Sequence, residues 1–387
     1  MTLSAVSSKP EDVGVDGEKL EAVFARAKRD VDHGVLPSAQ VAVAREGRLA
    51  GMRTFGSAVQ GGEERAATDQ TLYCIYSSTK VVVAAAVWLL LEEGSLKLEE
   101  KVSEIIPEFG TNGKDVVTVE QVMLHVGGFP HAPLRAIEGS TSEGRLKAFA
   151  GWRLNWEPDS QYEYHPTAAH WVLAEIIERR GGKDYREFIR ERITGPMGLR
   201  DIHLGLADDQ AHRAAEIVFM EEPVEPPGGW GEVTPEAVLT FNDQAVRRVG
   251  VPGGGAFSNA GQMALFYQVL LNGGEARDGT RVLKPEAIQF ATRVRTKDHH
   301  RDPIWGNKAN RGLSIIVAGD DGQAFMRGFG RVASPRAFGH GGAGGQIAWG
   351  DPETGISVGY CTNGFVDWQT MGRRITAISS LAAGCGV

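Results

Sequence analysis

Ser77 and Lys80 stand three residues apart in Ser77-Ser78-Thr79-Lys80, directly ahead of the apolar run 81–91. Residues i and i+3 share a helix face, with Cβ atoms about 5–6 Å apart. A helix starting near Ser77 therefore aims a hydroxyl and an amine into one space. A serine hydroxyl becomes a useful nucleophile once a neighbour takes its proton. A lysine pressed against an apolar core gives up its own proton more readily than one in water. Free N–H groups at the helix start favour a developing negative charge. The chemistry implied is Ser/Lys acyl transfer. Taken alone, the same four residues also fit a capping serine followed by a first-turn surface lysine.

Two further stretches bear on the choice. Tyr162-Glu163-Tyr164-His165-Pro166 precedes an apolar helical segment. A phenol beside a lysine ammonium has its phenolate favoured and can act as a base. Otherwise such a tyrosine packs in a loop. Phe338-Gly339-His340-Gly341-Gly342-Ala343-Gly344-Gly345 runs into a strand-like segment at 346–349. It reads as a glycine-rich turn that lets backbone approach a ligand closely. A backbone N–H there, together with that of Ser77, would suit a developing oxyanion.

The elements that must position these residues follow from periodicity and punctuation. Residues 17–33 read as an amphipathic helix with Leu20, Val23, Phe24 and Ala27 on one face. Short strands follow at 39–44 and 49–56, joined by Arg45-Glu46-Gly47-Arg48. The apolar helix at 78–93 stops at Gly94, a suitable residue just past a helix end. Residues 95–240 read as mainly helical with long loops, and Thr118–Gln121 as a capped helix start. Helices are expected at 171–178 and 185–193, around Gly181-Gly182. A Pro/Gly-rich acidic loop spans 220–236, a helix 259–271, and a polar loop 296–311. Strands are expected at 313–318, 345–350 and 356–362, the last two joined by the turn 351–355, and a closing helix at 368–384. Strands at both ends with helices between imply an α/β (α+β type) fold. One antiparallel sheet is built from both chain ends and flanked by helices. The expected division is an α/β sheet domain of residues 1–77 and 241–387, and a mainly helical domain of residues 78–240.

The 387 residues are 42% hydrophobic, enough for a large core. The net charge is −8 and the pI about 5.8, with no basic patch for nucleic acid and no cationic run for an anionic membrane. Three cysteines, Cys74, Cys361 and Cys385, provide no disulfide framework. Cys74 reads as a small buried residue. The N-terminal nine residues show no apolar leader. The run 81–91 is too short to cross a bilayer. A soluble cytoplasmic protein is expected. No Gly-x-Ser-x-Gly elbow is present. His299-His300 lack a third ligand at a sensible spacing and read as solvated. His125 and His131 read as loop residues, and no metal is expected.

Ser77-x-x-Lys80, Tyr164 and His340-Gly341-Gly342, in this order and spacing, resemble the three motifs of the serine β-lactamase and penicillin-binding-protein superfamily. The closest branch is the class C β-lactamase-like proteins with the family VIII carboxylesterases. The resemblance runs from about residue 10 to 385. It implies an α/β domain and a helical domain with a cleft between. It implies Ser77 as nucleophile, with Lys80 and Tyr164 as the proton-transfer pair in either order. It implies backbone N–H groups of Ser77 and Ala343 as the oxyanion hole, His340, Gly341 and Gly342 as substrate-binding residues, and no cofactor. The departures steer the substrate. His340-Gly341-Gly342 stands where lactamases have Lys-Thr-Gly, so the permanent cation that holds a carboxylate is expected to be missing. Pro166 stands where an asparagine would hold a substrate amide, and the local offset makes Tyr162 a secondary candidate for the base. Val126-Gly127-Gly128 replaces a commoner Thr-Ser-Gly. These features favour a small-molecule ester, short-chain, with slight β-lactam turnover. The alternatives are a β-lactamase or D-alanyl peptidase, an acyltransferase, and a catalytically idle interaction protein on the same fold. Oligomeric state is not legible.

Overall fold

A computed structural model describes residues 9–386. The leader-free segment read at the N-terminus lies, save Lys9, outside them. Helix α1 (Gly17–Asp32) starts at Asp16, whose carboxylate accepts from the N–H groups of Glu18 and Lys19. Strands β1 (Ser38–Arg45) and β2 (Arg48–Gln60) form a hairpin. Its turn places Glu46 and Gly47 at φ 52° and 72°, the left-handed pair that a tight hairpin requires. Strand β3 (Glu63–Ala66) adds an exposed edge.

The C-terminal strands complete the sheet. They are β8 (Arg311–Gly312), β9 (Ile315–Val317), β10 (Phe338–Gly342), β11 (Gln346–Gly350) and β12 (Ser357–Thr362). The order is β3-β2-β1-β12-β11-β10-β9-β8, antiparallel throughout. The two ends of the chain meet at β1 and β12, with Ala39 opposite Thr362. Strand alternation sorts the core into two layers. Val41, Val43, Val358, Tyr360, Ile347 and Trp349 face α1 and the final helix (Trp368–Ala383). Ala42, Ala44, Ala348 and Cys361 face the opposite core, which includes the helix Ala260–Leu271.

That second core contains α2 (Thr79–Glu92), in which every residue from Thr79 to Leu90 is buried. A helix apolar all round belongs in a core. Gly94 beyond its end has φ 72°. The helix Ala168–Gly181 packs alongside α2. Smaller sheets fasten the middle of the chain: β4 (Tyr73–Cys74) and β5 (Ile202–Leu204) flank β7 (Ala256–Ser258), while β6 (Val218–Phe219) runs parallel to β13 (Gly364–Phe365).

The expected strand at 313–318 shortens to β9, because Leu313 and Ser314, the latter at φ 56°, form the turn that joins β9 to β8. The helix expected over 185–193 passes at Arg190 into a wider turn, Arg190–Thr194. His340-Gly341-Gly342, read as a turn, is strand β10. Its register, His340 opposite Ala348, is imposed by β11 despite the poor strand propensity of glycine. Among the described residues no helix is long and apolar enough to cross a membrane.

Candidate active site

The Ser77 turn is held on three sides. β4 leads into a 3-10 turn, Tyr76–Ser78, through Tyr76 at φ 43°. A non-glycine residue in the left-handed region costs about 1–3 kcal/mol. The Tyr76 ring makes edge contacts with Phe241 and Phe365, each at 5.5 Å. Such pairs contribute about 0.5–1.5 kcal/mol each, enough to offset that strain. Ser78 Oγ donates to His340 O at 2.9 Å, and Ala256 N donates to Thr79 Oγ1 at 3.1 Å. Ser77 itself is half-buried between them.

Lys80, fully buried, reaches back to this turn. Its Nζ lies 3.1 Å from Ser77 Oγ, 2.6 Å from Pro166 O and 2.6 Å from Gly253 O. Carbonyl oxygens only accept. A neutral amine spends its two hydrogens on those carbonyls, which leaves its lone pair facing the serine hydroxyl. Burial holds the lysine well below its ordinary pKa, and the Arg311 charge adds to the effect while Glu232 opposes it. Burial and the Arg311 charge favour the neutral amine, and the geometry allows its lone pair to face Ser77 Oγ.

Tyr164 is brought to the same place. Its ring centroid is 5.0 Å from Lys80 Nζ, and its shielded hydroxyl makes no hydrogen bond, although Ser77 is close enough to bias its ionisation. The expected phenolate is not favoured. Burial drives this phenol's pKa upward more strongly than Arg311 and Ser77 lower it. The sequence argument assumed a lysine ammonium beside it, whereas the amine there is itself pushed toward neutrality. A neutral phenol is suited to donating a proton. Tyr162, the secondary candidate, is committed elsewhere: its hydroxyl accepts from Arg311 Nε at 3.1 Å.

The third motif itself carries no permanent cation, but Arg311, the first residue of β8, brings one against it. Its guanidinium lies 3.2 Å from His340 Nε2 and 5.1 Å from the centre of the Tyr164 ring. His340 Nδ1 lies 2.6 Å from Gly341 O and must carry the hydrogen, so Nε2 accepts from Arg311. Burial, with Arg311 and Lys80 nearby, holds the imidazole neutral. His340 thus orients Arg311. Sequence reading missed the arginine because it closes a charged loop. Its one signal was a cation at the start of a buried strand. Gly342 passes against Ile75 O with no room for a Cβ. A Cβ at Gly341 would face Ile347 on the far side of the strand. Ala343, next in line, opens a short turn at Gly342's end of β10.

The remaining residues sort by burial. Cys74 is buried and donates to Gly254 O at 3.5 Å. His125 is fully buried with its ring centroid 4.8 Å from that of Tyr164, and His131 is exposed against Glu163 at 3.0 Å. The reading of His299-His300 as solvated is half wrong. His300 is 1% exposed, and Asp159 supplies the third group that sequence spacing did not show. The trio is nonetheless unsuited to a metal. His300 Nδ1 accepts from Lys297 N at 3.1 Å, which leaves the hydrogen on Nε2, and the Lys297 ammonium pairs with Asp159.

The chain as a whole has known relatives. The chain is 29% identical over 315 residues to the esterase/beta-lactamase LipL of Mycobacterium tuberculosis, covering 75% of this chain and 68% of that protein. It is 26% identical over 390 residues to a putative D-alanyl-D-alanine carboxypeptidase of Escherichia coli, covering 92% and 85%. Among solved structures, a penicillin-binding protein homolog from Caulobacter crescentus superposes with a TM-score of 0.82 at 26% identity, over 95% of this chain and 98% of that one. A family VIII carboxylesterase shares the fold with a TM-score of 0.78 at 24% identity, over 95% and 98%. The Beta-lactamase family description matches residues 23–383, and the chain belongs to the β-lactamase family of serine hydrolases.

Proposed function

We propose that the protein hydrolyses carboxylic esters with short acyl chains through an acyl-enzyme on Ser77. The observation that carries this reading is the Lys80 amine. Two of its directions are taken by carbonyl oxygens and the third by Ser77 Oγ at 3.1 Å. Lys80 takes the hydroxyl proton as Ser77 Oγ bonds to the ester carbonyl carbon. The oxyanion is met by the backbone N–H groups of Ser77 and Ala343. As the C–O bond breaks, Tyr164 gives its proton to the departing alkoxide and is reprotonated from Lys80. Water then attacks the acyl-enzyme, its proton passing to the same pair. The acid leaves, and Ser77 regains its hydrogen.

Esters are favoured over lactams because Pro166 offers no side-chain amide to a substrate amide. An ester also leaves with less need of protonation. The name borne by LipL, esterase/beta-lactamase, includes an ester substrate alongside a lactam one. The test is turnover of nitrophenyl acetate and butyrate, with intact-mass detection of an adduct after exposure to an activated phosphonate. Ser77→Ala should lose both. Equal rates in the two proteins, or an adduct elsewhere, reject the proposal.

Arg311 favours a second reading, a D-alanyl carboxypeptidase or β-lactamase. Its guanidinium, 5.1 Å from the centre of the Tyr164 ring, is a fixed cation able to pair with a substrate carboxylate. That reading requires strong nitrocefin turnover or release of terminal D-alanine from a peptide.

A further inference from the structure

A second charged group acts on the Lys80 neighbourhood. Glu232 lies within the Pro/Gly-rich loop that the sequence singled out at 220–236. The loop is pinned at two points: Gly228 lies against Ile304, with no room for a Cβ, and Glu232 Oε2 accepts from Thr167 Oγ1 at 2.7 Å. Thr167 directly follows Pro166, whose carbonyl holds Lys80. Glu232 is thus linked to Ser77 through the Thr167 hydroxyl, the adjoining Pro166 carbonyl and Lys80. Its charge acts on both Lys80 and Tyr164.

The carboxylate is not consumed by these neighbours. No salt-bridge contact joins it to Lys80, whose nitrogen is already occupied. The Thr167 hydroxyl engages one oxygen. Oε1 receives no hydrogen bond from any described residue and is not sealed from solvent. Burial raises its pKa while the Thr167 hydroxyl, Lys80 and the Thr167 N–H oppose the rise, so a further cationic partner would favour the carboxylate. A second carboxylate, Glu163, directly precedes Tyr164 and meets His131 Nε2 at 3.0 Å. The guanidinium of Arg311 lies on the Tyr164 ring, 5.1 Å from its centre.

We propose that Glu232 forms a subsite for a substrate ammonium, so that the favoured esters are those of amino acids or short peptides with a free amine on the acyl part. The proposal rests on the ester-hydrolase reading above and specifies its substrate class. An ammonium close to the reacting carbonyl supplies the hydrogen-bond donor that Oε1 lacks.

The test compares alanine methyl ester with methyl propionate by pH-stat, in wild type and Glu232→Gln. The amine makes the alanine ester intrinsically more reactive, so the readout is the change in the ratio of the two kcat/KM values, in which that difference cancels. Glu232→Gln should reduce the ratio at least tenfold, and Glu232→Asp should restore part of it. An equal fall for both esters overturns the proposal, because it makes Glu232 a positioning residue only. Should wild type hydrolyse neither ester, the ester reading fails, and the subsite is then decided by calorimetric titration with alaninamide. Binding lost in Glu232→Gln sustains the subsite. Absent or unchanged binding overturns it.

Discussion

Gly342 is where the strand β10 touches the turn that carries Ser77, and replacing it by alanine tests whether that contact sets the rate. Its backbone, at φ −125° and ψ 157°, is ordinary extended geometry open to any residue. The whole cost of a methyl group is therefore steric. A Cβ there falls far inside 3.0 Å of Ile75 O, and lies 3.0 and 3.1 Å from Cβ and Cγ of Gln346. The strand must open from the turn by roughly 0.5–1 Å, because a packed interior has no slack to absorb it. Ile75 precedes the left-handed Tyr76, so the displacement falls on the Ser77 turn and on the proposed Ala343 oxyanion donor. Misplacement of that size costs on the order of 10²-fold in rate, and overpacking costs about 1–3 kcal/mol of stability. The control lies one residue away. A Cβ at Gly341 meets its nearest atoms at 3.5 and 3.6 Å, ordinary contact. Gly342→Ala should turn over nitrophenyl acetate about 10²-fold more slowly and label Ser77 more slowly with an activated phosphonate. Gly341→Ala should stay within a factor of about two of wild type, since an uncrowded substitution costs about 0.5 kcal/mol or less. A wild-type rate in Gly342→Ala, or equal losses in both variants, would refute the reasoning.

Two further outcomes follow from the electrostatics. Lys80 must be neutral to act as base, so kcat/KM rises with pH through its pKa. Arg311 lowers that pKa and Glu232 raises it. Arg311→Gln should therefore move the acid limb of the nitrophenyl acetate profile to higher pH, and Glu232→Gln to lower pH; an unmoved limb in Arg311→Gln would disprove Lys80 as its source. Tyr164→Phe should cost about 10²-fold or more on alkyl esters, whose alkoxides need a proton, and much less on nitrophenyl esters. A uniform loss across both classes would remove the assigned proton-donor role.

Local chemistry was legible along the chain. The Ser77–Lys80 pairing is an i,i+3 relation, and the all-apolar run behind it requires burial. The hairpin at Glu46-Gly47, the stop at Gly94 and the cap at Thr118 were likewise readable, each depending on residues a few positions apart. Placing strands at both ends with helices between predicted a sheet closed by both termini, as the pairing of β1 with β12 shows.

The charge state of the site was decided only by the tertiary structure. Tyr164 was expected to ionise and is favoured neutral, because burial acts on it and on Lys80 alike. The cation missing from His340-Gly341-Gly342 is supplied by Arg311 from another strand, and Glu232 arrives from a loop with no motif. His300 is buried against Asp159, far away in sequence. A sequence pattern reports what neighbours within a few residues impose on the backbone. Proton affinity depends on solvent exclusion and on charges a few ångströms away in space, and folding assembles those from segments whose spacing along the chain carries no record of it.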